Sequence, residues 1–341
     1  MLYRSIPGTR LRASEIGFGC GGNAGLMVRS TSAEQARVVA RALELGINYF
    51  DTAPDYGDGA AEIALGRALR AAGAVHGAAG GPIITTKVEV RRQDLNDIAG
   101  HVVRSAEQSL RRLGLQQLDV LQIHNGPVSA PPAMENGDYH TLWLEHFLGP
   151  RGAMEGLRRL LDRGLVAHVG FVCRGDDGAE VRRLLETGLF RLINVAYNLL
   201  NQSAGGAVPA PGEQDRADVL GAAQRRNAGA AVFSPLAGGF LAGDAVQHAL
   251  ARTRDLASGA GRRKHEQASR FEAFARACGG SIAQAAYRFV LGHRGTTTAL
   301  GGFSSLEQME EIVAVTRMPP LEPEVLALAM APPRQDAEVS P

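Results

Sequence analysis

Four side chains in the first 124 residues are of the types needed to deliver a proton to a carbonyl oxygen. Asp51 and Tyr56 lie in Gly46-Ile47-Asn48-Tyr49-Phe50-Asp51-Thr52-Ala53-Pro54-Asp55-Tyr56-Gly57, where a short apolar run ends in an acid and breaks into a polar turn. Lys87 closes Ile83-Ile84-Thr85-Thr86-Lys87, and His124 closes Val120-Leu121-Gln122-Ile123-His124. A phenol, with a reference pKa of about 10, keeps its proton at neutral pH and is a reluctant donor. An ammonium beside it stabilises the phenolate left behind, each unit of lowered pKa being worth about 1.4 kcal/mol. A carboxylate would hold that ammonium charged and oriented. A neutral imidazole would hydrogen-bond the carbonyl oxygen and polarise it. Taken singly, each has a duller reading: Asp51 with Lys87 as a structural ion pair, His124 as a satisfied strand-end histidine, Tyr56 as a turn aromatic. Their joint occurrence at the ends of three successive strand candidates favours the catalytic one.

Such an arrangement needs parallel strands side by side, and the chain supplies the pattern. Apolar, β-branched runs that stop at the first polar or charged group fall at residues 16–19, 47–51, 83–87, 120–124, 166–172, 192–195, 230–233 and 296–300. Helical spacing separates them. Ala36, Val39, Ala40 and Leu43 share one face after a capping pair read at Ser32 and Gln35. Leu95, Ile98, Val102, Ala106, Leu110 and Leu113 share another, stopped by Gly114. Ser281 with Gln284, and Ser305 with Gln308, cap two later helices. Eight strands alternating with helices are the pattern of one (β/α)₈ barrel over residues 1–330, preceded by a small hairpin at 3–6 and 11–14. A flexible tail is expected over 331–341. Three connections that follow strands are long, at 125–152, 201–216 and 235–269, as a shaped pocket requires. Trp143, the only tryptophan, reads as an anchor of the first.

Composition narrows the partners. With 341 residues, 45% hydrophobic, 21% charged and a net charge of +1, the chain has no electrostatic case for nucleic acid or an anionic membrane. Cys20, Cys173 and Cys278 are too scattered for a disulfide framework or a zinc site, and no metal is expected. A cytoplasmic setting fits, and neither a signal peptide nor an apolar run of membrane-spanning length is visible. Gly17-Phe18-Gly19-Cys20-Gly21-Gly22 matches a dinucleotide fingerprint in letters only, because about ten residues intervene before the next helix.

From about residue 3 to 330 the chain resembles the aldo-keto reductase superfamily, on the Asp51–Tyr56 signature, Lys87, His124, Glu62 and Leu65-Gly66. The resemblance implies a catalytic tetrad of Asp51, Tyr56, Lys87 and His124, with Tyr56 as general acid. It implies an NADP(H) site, with NAD(H) as the other choice. Asn194 stands where the family carries the carboxamide-binding glutamine, and Tyr197 matches an aromatic that stacks on the nicotinamide. Ser234, Leu236 and Gly238 match a stretch that lines the pyrophosphate. Gly302, Ser304, Gln308 and Glu311 match the segment around the adenosine, Gln308 having a helix-capping role as well. Arg262, Arg263 and Lys264 are candidates for a 2′-phosphate or for a solvated basic run. The chain departs from the family at Val172-Cys173, which replaces Ser-Asn, at Ile312, and at Gly21, where an indole is common. The implied reaction is reduction of an aldehyde or ketone, or oxidation of an alcohol or sugar hydroxyl. A cofactor-binding regulatory subunit and a redox-neutral epimerase or lyase stay open beside it.

Overall fold

Eight parallel strands close on one another in chain order in the computed structural model, which describes residues 1–22, 24–78, 80–129, 141–175, 178–209, 213–243 and 258–330. The tail expected at 331–341 lies outside the described residues. A hairpin comes first, β1 (Tyr3–Ser5) paired antiparallel with β2 (Arg12–Ser14). The barrel strands are β3 (Ile16–Gly19), β4 (Tyr49–Asp51), β5 (Ile83–Val88), β6 (Leu118–Ile123), β9 (Val166–Val172), β10 (Phe190–Ala196), β11 (Gly229–Phe233) and β12 (Thr298–Gly301). Two short strands in the long fourth connection, β7 (Gly126–Val128) and β8 (Thr141–Trp143), pair in parallel outside it. The (β/α)₈ barrel expected from the sequence is therefore present, with each expected strand within a few residues of its place.

The strands bury both faces, which is why they read as continuous apolar runs rather than alternations. Inward, Tyr49, Ile83, Val120, Leu192, Ala231 and Leu300 form one cluster. Outward, the sheet packs on helices α1 (Leu26–Arg29), α2 (Ser32–Glu44), α3 (Ala60–Ala71), α4 (Ile98–Leu113) and their successors. Phe18 sits between Phe50 and Phe303, with ring centroids 5.8 and 5.7 Å away. Each fully buried ring of this kind contributes on the order of 1.5–3 kcal/mol. Gly66 has a packing reason: a Cβ there would run into the Leu113 carbonyl where α3 crosses the end of α4.

Local signals were close but not all in register. Helix α2 is capped by Thr31 with Glu34, not by Ser32 with Gln35. Both pairs have the capping spacing, but Gln35 is buried and donates to the Met27 and Ser30 carbonyls at 3.1 Å. The Gly-rich loop after β3 holds the one-turn helix α1 that periodicity did not show. Trp143 ends β8, and its Nε1–H donates to the Ser129 carbonyl at 3.0 Å, in keeping with an anchoring role.

The hairpin closes the floor of the barrel. Ile6 and Ala13 are wholly buried against the inner cluster, with Leu11 beside them. The Arg4 guanidinium donates to the Leu291 and Thr296 carbonyls, and the Asn48 side chain ties Ser14 and Arg12 to the start of β4. Every one of these partners precedes a strand, so the hairpin lies at the end opposite the strand termini that carry Asp51, Lys87 and His124.

Candidate active site

Neighbouring strands bring Asp51, Lys87 and His124 together at the mouth. Asp51 ends β4 and is paired with Thr85 of β5, while Lys87 of β5 pairs with Gln122 of β6. Period-two alternation then points Asp51, Thr85, Lys87 and Gln122 inward. Lys87 Nζ donates to Asp51 Oδ1 at 2.5 Å and to the Thr52 carbonyl at 2.8 Å. The second oxygen of Asp51 accepts from Asn194 Nδ2 at 3.0 Å, Thr85 Oγ1 at 3.1 Å and Gln122 Nε2 at 3.4 Å. A carboxylate with this many donors is satisfied without water, as burial of a charge demands.

Tyr56 leaves the turn after β4 and returns its ring to the pair. Lys87 Nζ is 5.1 Å from the ring centroid, and the ring meets His124 edge-on at 5.9 Å. Burial pushes the phenol above its ordinary value. Lys87 and Arg174 pull it back, while Asp51 and Asp55 add to the rise. For Lys87, burial alone would lower the ammonium, but Asp51 and Tyr56 outweigh it and the net shift is upward. The resting site therefore holds a protonated phenol against a permanent ammonium.

His124 is 1% exposed, and both ring nitrogens are spoken for. Nδ1 lies 3.1 Å from Asp55 Oδ1 and 3.3 Å from Glu89 Oε2, and Nε2 lies 2.7 Å from Arg174 Nη2. These three partners were not among the sequence candidates. The alternation that points Lys87 inward also points Glu89 inward, which was the available signal. Burial favours neutral acids at Asp55 and Glu89, but the contacts to His124 prevail and hold both carboxyls below their usual range. Asp55, Glu89 and His124 offer three ligand-type atoms within 4.8 Å of one another. A guanidinium on Nε2 places the ring proton on Nδ1, however, so no lone pair is left there for a cation.

The residues expected to hold a nicotinamide are placed unevenly. Asn194 is inward and 2% exposed, and its Oδ1 has no partner, leaving one buried acceptor suited to a carboxamide N–H. Val172, its neighbour in register on β9, gives that wall an apolar side where the family has serine. The Cys173 backbone N–H bonds the Asn194 carbonyl at 2.7 Å, and burial pushes the Cys173 thiol up to about 12. Gly21, where the family often has an indole, lies beside the Tyr56 ring, and a Cβ there would stand 3.8 Å from it, in ordinary contact. Tyr197 differs from expectation. It is 3% exposed, stacks on Phe289 with centroids 5.1 Å apart, and meets His293 edge-on at 5.5 Å. It follows β10 and turns into the helix layer, so the face a nicotinamide would need is covered. Phe233, half-buried at the end of β11 and packed on the inner cluster, is an inward aromatic nearer the mouth than Tyr49.

The phosphate and adenosine segments sit on the same rim. Ser234 follows β11 with φ 55°, its carbonyl accepting from Asn198 Nδ2 at 3.1 Å, and a Cβ on Gly238 would meet nothing within 4 Å. Leu236 packs on the core. Gly302 follows β12 with room at its Cα, Ala24 Cβ being 3.5 Å from where a Cβ would stand. Gln308 Oε1 accepts from the Ser304 N–H at 3.0 Å and its hydroxyl at 2.7 Å, and its own N–H is capped by Ser305. Glu311 accepts from the Ser281 hydroxyl at 2.6 Å. Arg262, Arg263 and Lys264 lie on a helix spanning Gly259–Ser269, with Lys264 Nζ 3.9 Å from Glu213 Oε1. The buried acceptor at Asn194 and the open glycines at the rim fit a dinucleotide; the enclosed Tyr197 does not contribute to that fit.

Among the described residues no helix is long and apolar enough to cross a membrane. A solved structure of aldo-keto reductase AKR11C1 from Bacillus halodurans, in a holo form, superposes with a TM-score of 0.69 at 20% identity, over 96% of this chain and 95% of that one. L-galactose dehydrogenase of Arabidopsis thaliana is 31% identical over 122 residues, 36% of this chain and 37% of that enzyme. L-glyceraldehyde 3-phosphate reductase of Escherichia coli K12 is 27% identical over 332 residues, covering 92% of this chain and 87% of the relative. The profile of the aldo/keto reductase family matches residues 15–329, and the chain belongs to that family of oxidoreductases.

Proposed function

We propose that this protein reduces an aldehyde or ketone, with NADP(H) as its cofactor and Tyr56 as general acid, and that the same site oxidises an alcohol or sugar hydroxyl in reverse. What carries the reading is the buried Lys87–Asp51 pair held against the Tyr56 ring at the barrel mouth. Reduced nicotinamide, when bound, supplies a hydride to the carbonyl carbon. As the C=O π pair moves onto oxygen, Tyr56 gives that oxygen its hydroxyl proton. The phenolate left behind is stabilised by the nearby Lys87 ammonium, which Asp51 and the Thr52 carbonyl hold in place, and it regains a proton from solvent. Asn194, Ser234, Gly238 and the Gly302–Glu311 segment would bind and orient the dinucleotide, with Arg262, Arg263 and Lys264 as the cationic candidates for a 2′-phosphate.

Small hydroxylated aldehydes and sugars are the substrate class to try first, since relatives named above bear the names of enzymes acting on galactose and glyceraldehyde 3-phosphate. A reducing, cytoplasmic setting accords with three free, buried cysteines. The test has two stages. Fluorescence titration with NADPH and with NADH measures cofactor binding and preference. Cofactor oxidation is then followed against aldehydes, ketones and sugars, for the parent and for Tyr56→Phe. Undiminished turnover in Tyr56→Phe, or no binding of either cofactor, would sink the proposal. Substrate conversion without net cofactor oxidation would favour a redox-neutral enzyme instead.

A further inference from the structure

The contact between Arg174 and His124 changes which group can serve the substrate oxygen. A guanidinium has five N–H donors and accepts nothing, so at 2.7 Å His124 Nε2 must be the acceptor. The ring proton is then on Nδ1, directed at Asp55 Oδ1 and Glu89 Oε2. A carbonyl oxygen can only accept. An imidazole with its free lone pair engaged and its N–H turned to two carboxylates has nothing to give it.

We propose that Arg174 is the second donor to the substrate oxygen beside Tyr56, and that His124 is a positioning residue for its guanidinium; this rests on the reductase reading above. Arg174 is half-buried and lies two residues past the end of β9, so it stands at the mouth beside His124, which immediately follows the neighbouring strand β6. Its charge acts on the Tyr56 phenol, drawing it down against the effect of burial. The backbone that carries it is built. Its N–H returns to the Val172 carbonyl at 2.9 Å, Arg216 donates to the Cys173 carbonyl at 3.3 Å, and Gln214 Nε2 donates to the Gly175 carbonyl. Gly126 is pressed so close that a Cβ would run into the Arg174 carbonyl oxygen, and Gly175 takes φ 98°. The two glycines and two side-chain clamps fix one short turn, as a donor aimed at a developing charge requires. A permanent cation there would hold an alkoxide more strongly than a neutral imidazole.

Two measurements decide it. Nitrogen NMR on protein labelled only in histidine, with no substrate or cofactor present, reads the His124 tautomer once its signal is identified by loss in His124→Gln. The parent should show Nε2 unprotonated and Nδ1 protonated, and Arg174→Met should redistribute the proton. A proton on Nε2 in the parent would overturn the assignment. In kinetics, Arg174→Ala should lose about 100-fold in kcat with KM changed only a few-fold. Guanidinium ion at low millimolar concentration should restore at least part of that loss, and Arg174→Lys should retain more activity than Arg174→Ala. Unchanged kcat in Arg174→Ala, or a loss that neither guanidinium nor Arg174→Lys relieves, would overturn the proposal. A parent that reduces no carbonyl would instead refute the reductase reading, while the nitrogen spectrum would still judge the His124–Arg174 contact by itself.

Discussion

Lys87 Nζ and Asp51 Oδ1 are 2.5 Å apart, with 2% and 5% of their side-chain surfaces reaching solvent. A pair this deep is weak evidence of net stabilisation, because both ions have left water, yet removing one partner strands the other. Lys87→Met should therefore cost about 3–5 kcal/mol in denaturant unfolding as well as turnover. Adding Asp51→Asn should return most of the stability and none of the activity. If Lys87→Met unfolds at the parent's midpoint, the pair is not isolated from water as described.

Tyr56→Phe removes one oxygen and leaves the ring that packs against Lys87 and His124. General acid–base groups contribute about 10²–10⁴ in rate, so kcat should fall within that range. Cofactor affinity, read by fluorescence titration, should stay within two-fold. A matching drop in affinity would mean that Tyr56 binds rather than protonates.

The direction of the Tyr56 shift sets the pH dependence. Burial raises the phenol, so it stays protonated past the ordinary tyrosine value of about 10. Reduction, which needs the proton, should hold level through neutral pH and fall only in strong alkali. Oxidation, which needs the phenolate, should climb as pH rises. Lys87→Met removes a cation that lowers the phenol, so any residual activity should have its alkaline limb moved upward. Profiles of kcat/KM in both directions check the sign, and a reduction limb near neutrality that persists in the parent alone would contradict it.

Far from the mouth, His76 Nε2 lies 2.8 Å from Asp119 Oδ2, which also accepts from the Ile84 N–H. The contact with Asp119 raises the His76 imidazole in spite of its burial. A histidine raised on folding contributes stability that is fully present below its unfolded value, about 6.5, and is lost as pH climbs through the folded one. His76→Ala should thus cost about 1 kcal/mol at pH 5.5 and clearly less at pH 8.5. Equal losses at both values would show that packing, not charge, is what His76 provides.

The barrel could be read from the chain because each inner strand is buried on both faces and stops at a polar group, a pattern that survives without knowing its neighbours. Asp51, Lys87 and His124 were legible for the same reason: each marks a strand end. Arg174 was not, because its meaning lies in a contact with β6, fifty positions earlier in sequence. It directly follows Val172-Cys173, the pair that departs from the family's Ser-Asn. Tyr197 shows the opposite failure. Its type was noticed, but the alternation that turns Leu192 and Asn194 inward turns Tyr197, three positions past Asn194, outward into the helix layer, and that went unread. The Thr31–Glu34 cap was missed by one residue, since two overlapping pairs share the same spacing and only packing against Met27 and Ser30 separates them.

The floor hairpin bears on how this protein can be handled. Met1 packs on the core beside Gly46, and the first strand is laced to residues that precede the barrel strands, on the side away from Tyr56. A dye, carrier or solid support joined ahead of Met1 would emerge from the sealed end and leave the entrance turned toward solution. Trimming the leader through Ser14 would do the reverse, wetting Tyr49, Val120 and Leu192 from below.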